Sequence, residues 1–190
     1  MIPTWMQTYS GCPFHPMDPK AEDVDIVDIA HALSQICRFG GHCDRPYSVA
    51  DHSLLVSDIV EELEPDNYLA QLWGLMHDSA EAYTGDIIRP IKYSSPEVTA
   101  ILKGMEDKCL DVIAEALSLP LPIPLVVKKA DNLALALECR DLMQGERAGY
   151  WNIPACMHGP GWGARTMHPQ HAEEAFVREY GELKYKLEGK

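Results

Sequence analysis

Positive charge is in short supply in this chain. Against 29 aspartates and glutamates it carries 16 lysines and arginines, for a formal net charge of −13. With no general positive field to draw it there, neither nucleic acid nor an anionic membrane is an expected partner, although a local basic pocket for a phosphorylated small molecule stays open. There is no CxxC spacing among the six cysteines (Cys12, Cys37, Cys43, Cys109, Cys139 and Cys156), which argues against a zinc knuckle or a disulfide framework. Three of them, Cys37, Cys109 and Cys139, fall in helical-looking runs, where a reduced cysteine behaves as a small apolar residue. A reducing cytoplasm is the expected location. No secretory apolar region opens the chain, and no apolar run is long enough to span a bilayer. No stretch alternates with period two, and no internal repeat or low-complexity segment stands out, which leaves little room for a sheet or a solenoid.

What is present is helical periodicity. At 190 residues with 46% hydrophobic content, the chain suits one domain around one core. Residues 1–24 are rich in proline, glycine and aromatics and read as an extended arm, docked through Trp5, Tyr9 and Phe14. Residues 25–190 read as a compact all-α domain. The expected helices run from about Asp25 to Cys37, from a Ser48 cap (with Asp51 three residues on) to Leu63, and from Asn67 to Tyr83. Further helices are expected over about Pro96–Leu117, Leu125–Met143 and Pro169–Leu187. A homo-oligomer is expected, and the loop carrying Trp151 and Trp162 reads as packing or a subunit contact.

Four residues stand out chemically. His77-Asp78 ends the apolar run Leu69–Met76, His52 precedes Leu54-Leu55-Val56, and Asp131 precedes Leu133 and Leu135. Polar groups in apolar helices need partners, and a divalent cation is a strong one. Three packed helices can aim these two imidazoles and two carboxylates at one spot. Such a set suits one transition ion (Mn, Fe, Co, Ni or Zn) and is too nitrogen-rich for calcium. An ion held there can lower the pKa of water and polarise a phosphoryl oxygen. Glu81, four residues after His77, is expected one turn away on the same helix face, placed to manage protons. Arg38 is a loop arginine suited to phosphate, with Phe39 beside it, and His42 lies near enough to reach a substrate.

The order His52, His77-Asp78, Asp131 resembles the H…HD…D pattern of the HD-domain metal phosphohydrolases. The stretches Tyr47–Ser53, Asp78–Asp86 and Pro90–Tyr93 look like the deoxynucleotidase branch, which includes bacterial 5′-deoxynucleotidases and phage dATP triphosphohydrolases. The resemblance covers roughly Ile26 to Leu142. It implies the four metal ligands named above, a nucleotide substrate, and a bacterial cytoplasm (or a host cell, for a phage protein). Arg38-Phe39 matches an arginine–aromatic pair that in the relatives holds phosphate and packs on the sugar, with tryptophan as the usual aromatic. The resemblance also places Asp86 near the reacting phosphate, as a second acid/base or orienting group beside Glu81. Arg89 and Lys92, two cations just beyond, suit a polyphosphate tail, with which magnesium can enter.

The expected reaction is hydrolysis of a deoxynucleoside triphosphate, dATP being one candidate, to deoxynucleoside and triphosphate. The alternative is a 5′-deoxynucleotidase that releases phosphate from monophosphates. Outside enzymology, the alternative is a metal-stabilised regulatory or binding module, against which an intact ligand set beside Glu81 argues.

Overall fold

The computed structural model describes residues 4–143 and 163–189. The expectations for Trp151, Cys156 and Trp162 lie outside the described residues. The elements in chain order are a small hairpin, β1 (Met6–Gln7) and β2 (Pro13–Phe14), then α1 (Ile26–Gln35), α2 (Val49–Leu63), α3 (Tyr68–Met76) and α4 (Glu81–Thr84). They continue with α5 (Arg89–Lys92), α6 (Pro96–Ala116), α7 (Leu125–Leu142) and α8 (Pro169–Leu187). The fold is all-α, as expected. None of the described helices is long and apolar enough to cross a membrane.

Side-chain caps set the starts of α1, α2, α3 and α6. Asp25 accepts the Val27 N–H at 2.7 Å to open α1, and Asn67 accepts the Ala70 N–H at 3.1 Å to open α3. At α2 the capping box is complete: Ser48 Oγ accepts the Asp51 N–H at 3.0 Å while Asp51 Oδ2 accepts the Ser48 N–H at 2.8 Å. The second Asp51 oxygen accepts the Met167 N–H at 3.1 Å, which ties the approach to α8 onto the start of α2.

The third helix departs from expectation. The apolar periodicity predicts one helix from Asn67 to Tyr83, but α3 stops at Met76 and α4 begins at Glu81. Between them the N–H groups of Ser79, Glu81 and Ala82 bond to carbonyls three residues back, a tighter winding than the α-helix. The local cause is His77, whose Nδ1 lies 2.7 Å from the Gly74 carbonyl, the acceptor that a continuing helix would offer to residue 78. The short helix α5 was not anticipated either, because four residues give periodicity too little length to register.

Helix α2 is the centre of the bundle, packed by α1, α3, α7 and α8, while α6 lies against α4, α5 and residues 21–23. Ile29, Leu33, Ile59, Leu72, Trp73, Leu75, Met76, Ile113 and Phe176 are fully buried. Burying each such side chain stabilises the fold by roughly 1.5–3 kcal/mol relative to exposure. Helices α2 and α3 approach closely because residue 74 is glycine: a Cβ there would sit 3.1 Å from Ser57 Cα.

The N-terminal arm is less extended than its prolines suggest. It forms the β1–β2 hairpin, with Met6 opposite Phe14, followed by a 3₁₀ turn at Ala21–Asp23. Phe14 is its anchor, fully buried and stacked on Tyr83 at 3.7 Å between ring centroids. Tyr9 lies largely exposed but stacks on His31, also at 3.7 Å, whereas Trp5 remains half exposed.

Candidate metal and phosphate site

The central helix brings His52 to the point where α3 ends. His52 is fully buried, and its Nε2 lies 3.3 Å from His77 Nε2, 3.5 Å from Asp78 Oδ2 and 3.5 Å from Asp131 Oδ1. His77 Nε2 is 3.3 Å from Asp78 Oδ2. One ligand atom each from His52, His77 and Asp78 falls within 4.8 Å of the others, a group that can hold a metal ion. Asp131, from α7, stands beside this trio through its contact with His52, and its other oxygen takes the Lys128 ammonium at 2.7 Å.

The remaining ring nitrogens show how well this set fits a cation. Gly74 offers His77 Nδ1 a carbonyl, which only accepts, so Nδ1 carries the proton and Nε2 its lone pair. His52 Nδ1 faces Glu138 Oε1 at 2.6 Å, a carboxylate acceptor. Both rings therefore turn Nε2 toward the same point, the arrangement in which metal-binding histidines are held. Burial and Arg38 would lower the His52 pKa, but Glu138 and Asp131 outweigh them and push it up to about 9. Burial likewise opposes ionisation of Asp78 and Asp131, yet the imidazoles, His77 first for Asp78 and His52 for Asp131, hold both well below the usual carboxylate range. A nitrogen that holds a proton this firmly, among ionised carboxylates, is also a strong site for a divalent cation.

Arg38 is buried beside this group. One guanidinium nitrogen lies 3.5 Å from Asp78 Oδ2 and another 3.4 Å from Glu138 Oε2. The chain reaches this position through a tight turn in which Phe39 and Gly40 take φ of 56° and 61°. A phenylalanine in the left-handed region is strained, and here the Arg38 guanidinium stands 5.1 Å from the centroid of its ring.

A cavity of about 370 Å³ opens over the site. Its lining includes Asp78, Asp131, Arg38, Phe39, His42, Glu81, Asp86, Arg89 and Lys92, so nearly all the expected site residues share one space. Glu81 Oε2 is buried without a hydrogen-bond partner among the described residues. Burial, with Asp78 and Asp86 close by, pushes its carboxyl up to about 10. Burial also raises Asp86, against the pull of Arg38, and Asp86 accepts a hydrogen bond from the Phe39 backbone. Arg89 is exposed at the rim. Lys92, expected to meet a polyphosphate, has its ammonium paired with Glu106 on α6.

Glu138 went unnoticed in the sequence. It is 0% exposed, and burial alone would raise its pKa, but His52 and Arg38 hold it down to about 2. Its signal was available: an acid seven residues after Asp131, two turns along the same face of α7, inside the apolar run Leu133–Cys139. Lys128, one turn before Asp131, was missed as well.

Comparison with known proteins is consistent with this geometry. A family model described as "5′-deoxynucleotidase YfbR-like" matches residues 26–151. The chain is 36% identical over 184 residues to the uncharacterized protein YfdR of Escherichia coli K12, covering 95% of this chain and 96% of that one. It is 30% identical over 200 residues to an uncharacterized protein of Rhodobacter capsulatus, covering 97% and 98%.

Proposed function

This chain belongs to the YfbR-like 5′-deoxynucleotidase family, and from that premise we propose that it hydrolyses deoxynucleoside 5′-monophosphates to deoxynucleoside and inorganic phosphate. The expected preference for triphosphates gives way to this alternative, since the family description names a 5′-deoxynucleotidase. The carrying observation is the placement of cations. Arg38 is a buried guanidinium fixed at the edge of the ligand group by Asp78 and Glu138, Lys92 and Lys128 are turned to Glu106 and Asp131, and Arg89 stands exposed at the rim. That supply suits one phosphate better than three.

In this reading His52, His77, Asp78 and Asp131 hold one divalent transition cation. When bound, it supplies charge neutralisation at the phosphate and an activated water. Arg38 donates to the phosphate oxygens as a planar fork, and Glu138 and Asp78 keep that fork in place. Phe39 packs against the sugar, where a 2′-hydroxyl would lose its hydrogen bonds. As the water oxygen bonds to phosphorus and the bond to the 5′-oxygen breaks, that oxygen takes up a proton. Glu81 is the group placed to move it, its Oε2 being buried beside Asp78 and otherwise unpartnered among the described residues. Asp86, which bonds the Phe39 backbone, orients the Arg38–Phe39 turn toward the phosphate.

A panel of deoxy- and ribonucleoside mono-, di- and triphosphates with manganese or cobalt, its products separated by chromatography, tests this. Phosphate from deoxynucleoside monophosphates, abolished by EDTA, is expected. Inorganic triphosphate from a deoxynucleoside triphosphate, with monophosphates untouched, would restore the triphosphohydrolase reading.

A further inference from the structure

Glu138 sits where two parts of the site meet. It is wholly buried on α7, reaches the cavity with neither oxygen, and turns one oxygen to His52 and the other to Arg38, with the Tyr47 hydroxyl also against the carboxylate. Oε1 stands 2.6 Å from His52 Nδ1, and Oε2 stands 3.4 Å from an Arg38 nitrogen. His52 turns its other nitrogen to the ligand group, and Arg38 turns its other arm to Asp78 at 3.5 Å. A carboxylate accepts on both oxygens and donates on neither, so it alone among side chains of this shape can serve two donors at once.

We propose that Glu138 is a positioning residue that couples the cation site to the phosphate arm: it fixes the His52 proton on Nδ1, leaving Nε2 for the metal, and with the same carboxylate holds Arg38 at the metal's edge. The inference rests on the metal site proposed above and not on the identity of the nucleotide.

Glu138→Gln separates this role from packing, because the shape is kept and only the acceptor count changes. If the amide oxygen faces His52, the amide NH₂ meets the Arg38 guanidinium, donor against donor. If the NH₂ faces His52, Nδ1 must accept, the ring proton moves to Nε2, and the metal position is blocked. Either way one half of the coupling is lost. Where the NH₂ faces His52, calorimetric titration of the EDTA-stripped full chain with cobalt or manganese should show Kd rising 10- to 100-fold in Glu138→Gln, the range found when such partners of metal-binding histidines are removed. Where the amide oxygen faces His52, metal Kd holds and KM for a deoxynucleoside monophosphate at saturating metal rises through the displaced Arg38. A packing role moves neither quantity, and a metal Kd and a KM both within twofold of the parent overturn the proposal.

Should Glu138→Gln fail to fold by circular dichroism, the parent protein still decides the matter. Loaded with zinc, it should show His52 protonated on Nδ1, as a downfield, exchange-protected proton resonance. Protonation on Nε2 overturns the proposal. Metal Kd and ring protonation are both read without substrate. A chain that turns over no deoxynucleotide yet shows the Kd change would refute the nucleotidase reading and leave Glu138 in its role.

Discussion

At the scale of single residues, Glu81 has the most demanding role. Glu81→Gln keeps the volume and removes the titrating group, so the variant should bind metal like the parent and lose about a hundredfold or more in kcat. Metal content and turnover measured on one preparation check this, and parental turnover would remove Glu81 from the mechanism. Phe39→Ala should narrow the preference for deoxy- over ribonucleotides, since a 2′-hydroxyl pressed on an aromatic face loses a hydrogen bond worth on the order of 1–3 kcal/mol; the ratio of kcat/KM values reads it out. These residues differ in how visible they are in sequence. His52, His77, Asp78 and Asp131 announce themselves as polar groups in apolar helices. Glu138 does the same, but its meaning depends on His52 and Arg38, about a hundred residues away, lying opposite its two oxygens. No spacing along the chain encodes that meeting.

At the scale of elements, the junction between α3 and α4 matters most. A continuous helix over residues 67–83 would carry Asp78 and Glu81 round at 100° per residue. The tighter winding after His77 instead brings the Asp78 carboxylate back to His77 Nε2. Sequence periodicity registers the helical sense of this stretch and misses the break, because the break comes from a side chain competing for a backbone carbonyl. Gly74 supplies that carbonyl and also lets α3 lie against Ser57 of α2. Alanine there gains helix propensity, about 1 kcal/mol, but drives a methyl to 3.1–3.3 Å from backbone atoms of Val56 and Ser57. Backbone cannot swing aside as a side-chain tip can, so overpacking should win. Gly74→Ala is expected to lower stability by about 1–3 kcal/mol and to weaken metal binding by spreading His52 from His77. Urea unfolding together with metal titration checks both. Unchanged stability would mean that the α2–α3 contact is looser than described.

At the scale of the whole molecule, the helices gather carboxylates and imidazoles in one buried place, and stability should answer to pH and metal together. The His52 pKa rises from an ordinary 6.5 to about 9, so its contribution is fully present below 6.5 and lost as pH climbs through 9. Glu81, raised from 4.5 to about 10, loses its contribution in the same direction. Asp78, Asp131 and Glu138 are lowered, and their contributions fail only on the acid side of the ordinary carboxylate range. The metal-free protein should therefore lose melting temperature between pH 6.5 and 9. Added manganese or cobalt should restore more of it at the higher pH, because the ion takes the place of a proton on His52. Thermal melts in EDTA and in metal across that range decide this, and a metal-free protein that gains stability with pH would contradict the electrostatics. The helical class, the Ser48 cap of α2 and the convergence of His52, His77, Asp78 and Asp131 were legible in the sequence. The hairpin in the arm was not, since strands of two residues carry no period, and neither was the pairing of Lys92 with Glu106, which joins separate helices. Everything above depends on this buried group being a metal centre for phosphate-ester hydrolysis. Its most direct test is phosphate release from a deoxynucleoside 5′-monophosphate by EDTA-stripped protein titrated with manganese or cobalt, the parent run beside His77→Ala. Activity in the parent should rise from zero and saturate near one ion per chain, with His77→Ala inactive throughout. Full activity in EDTA, or equal activity in the two proteins, would contradict it.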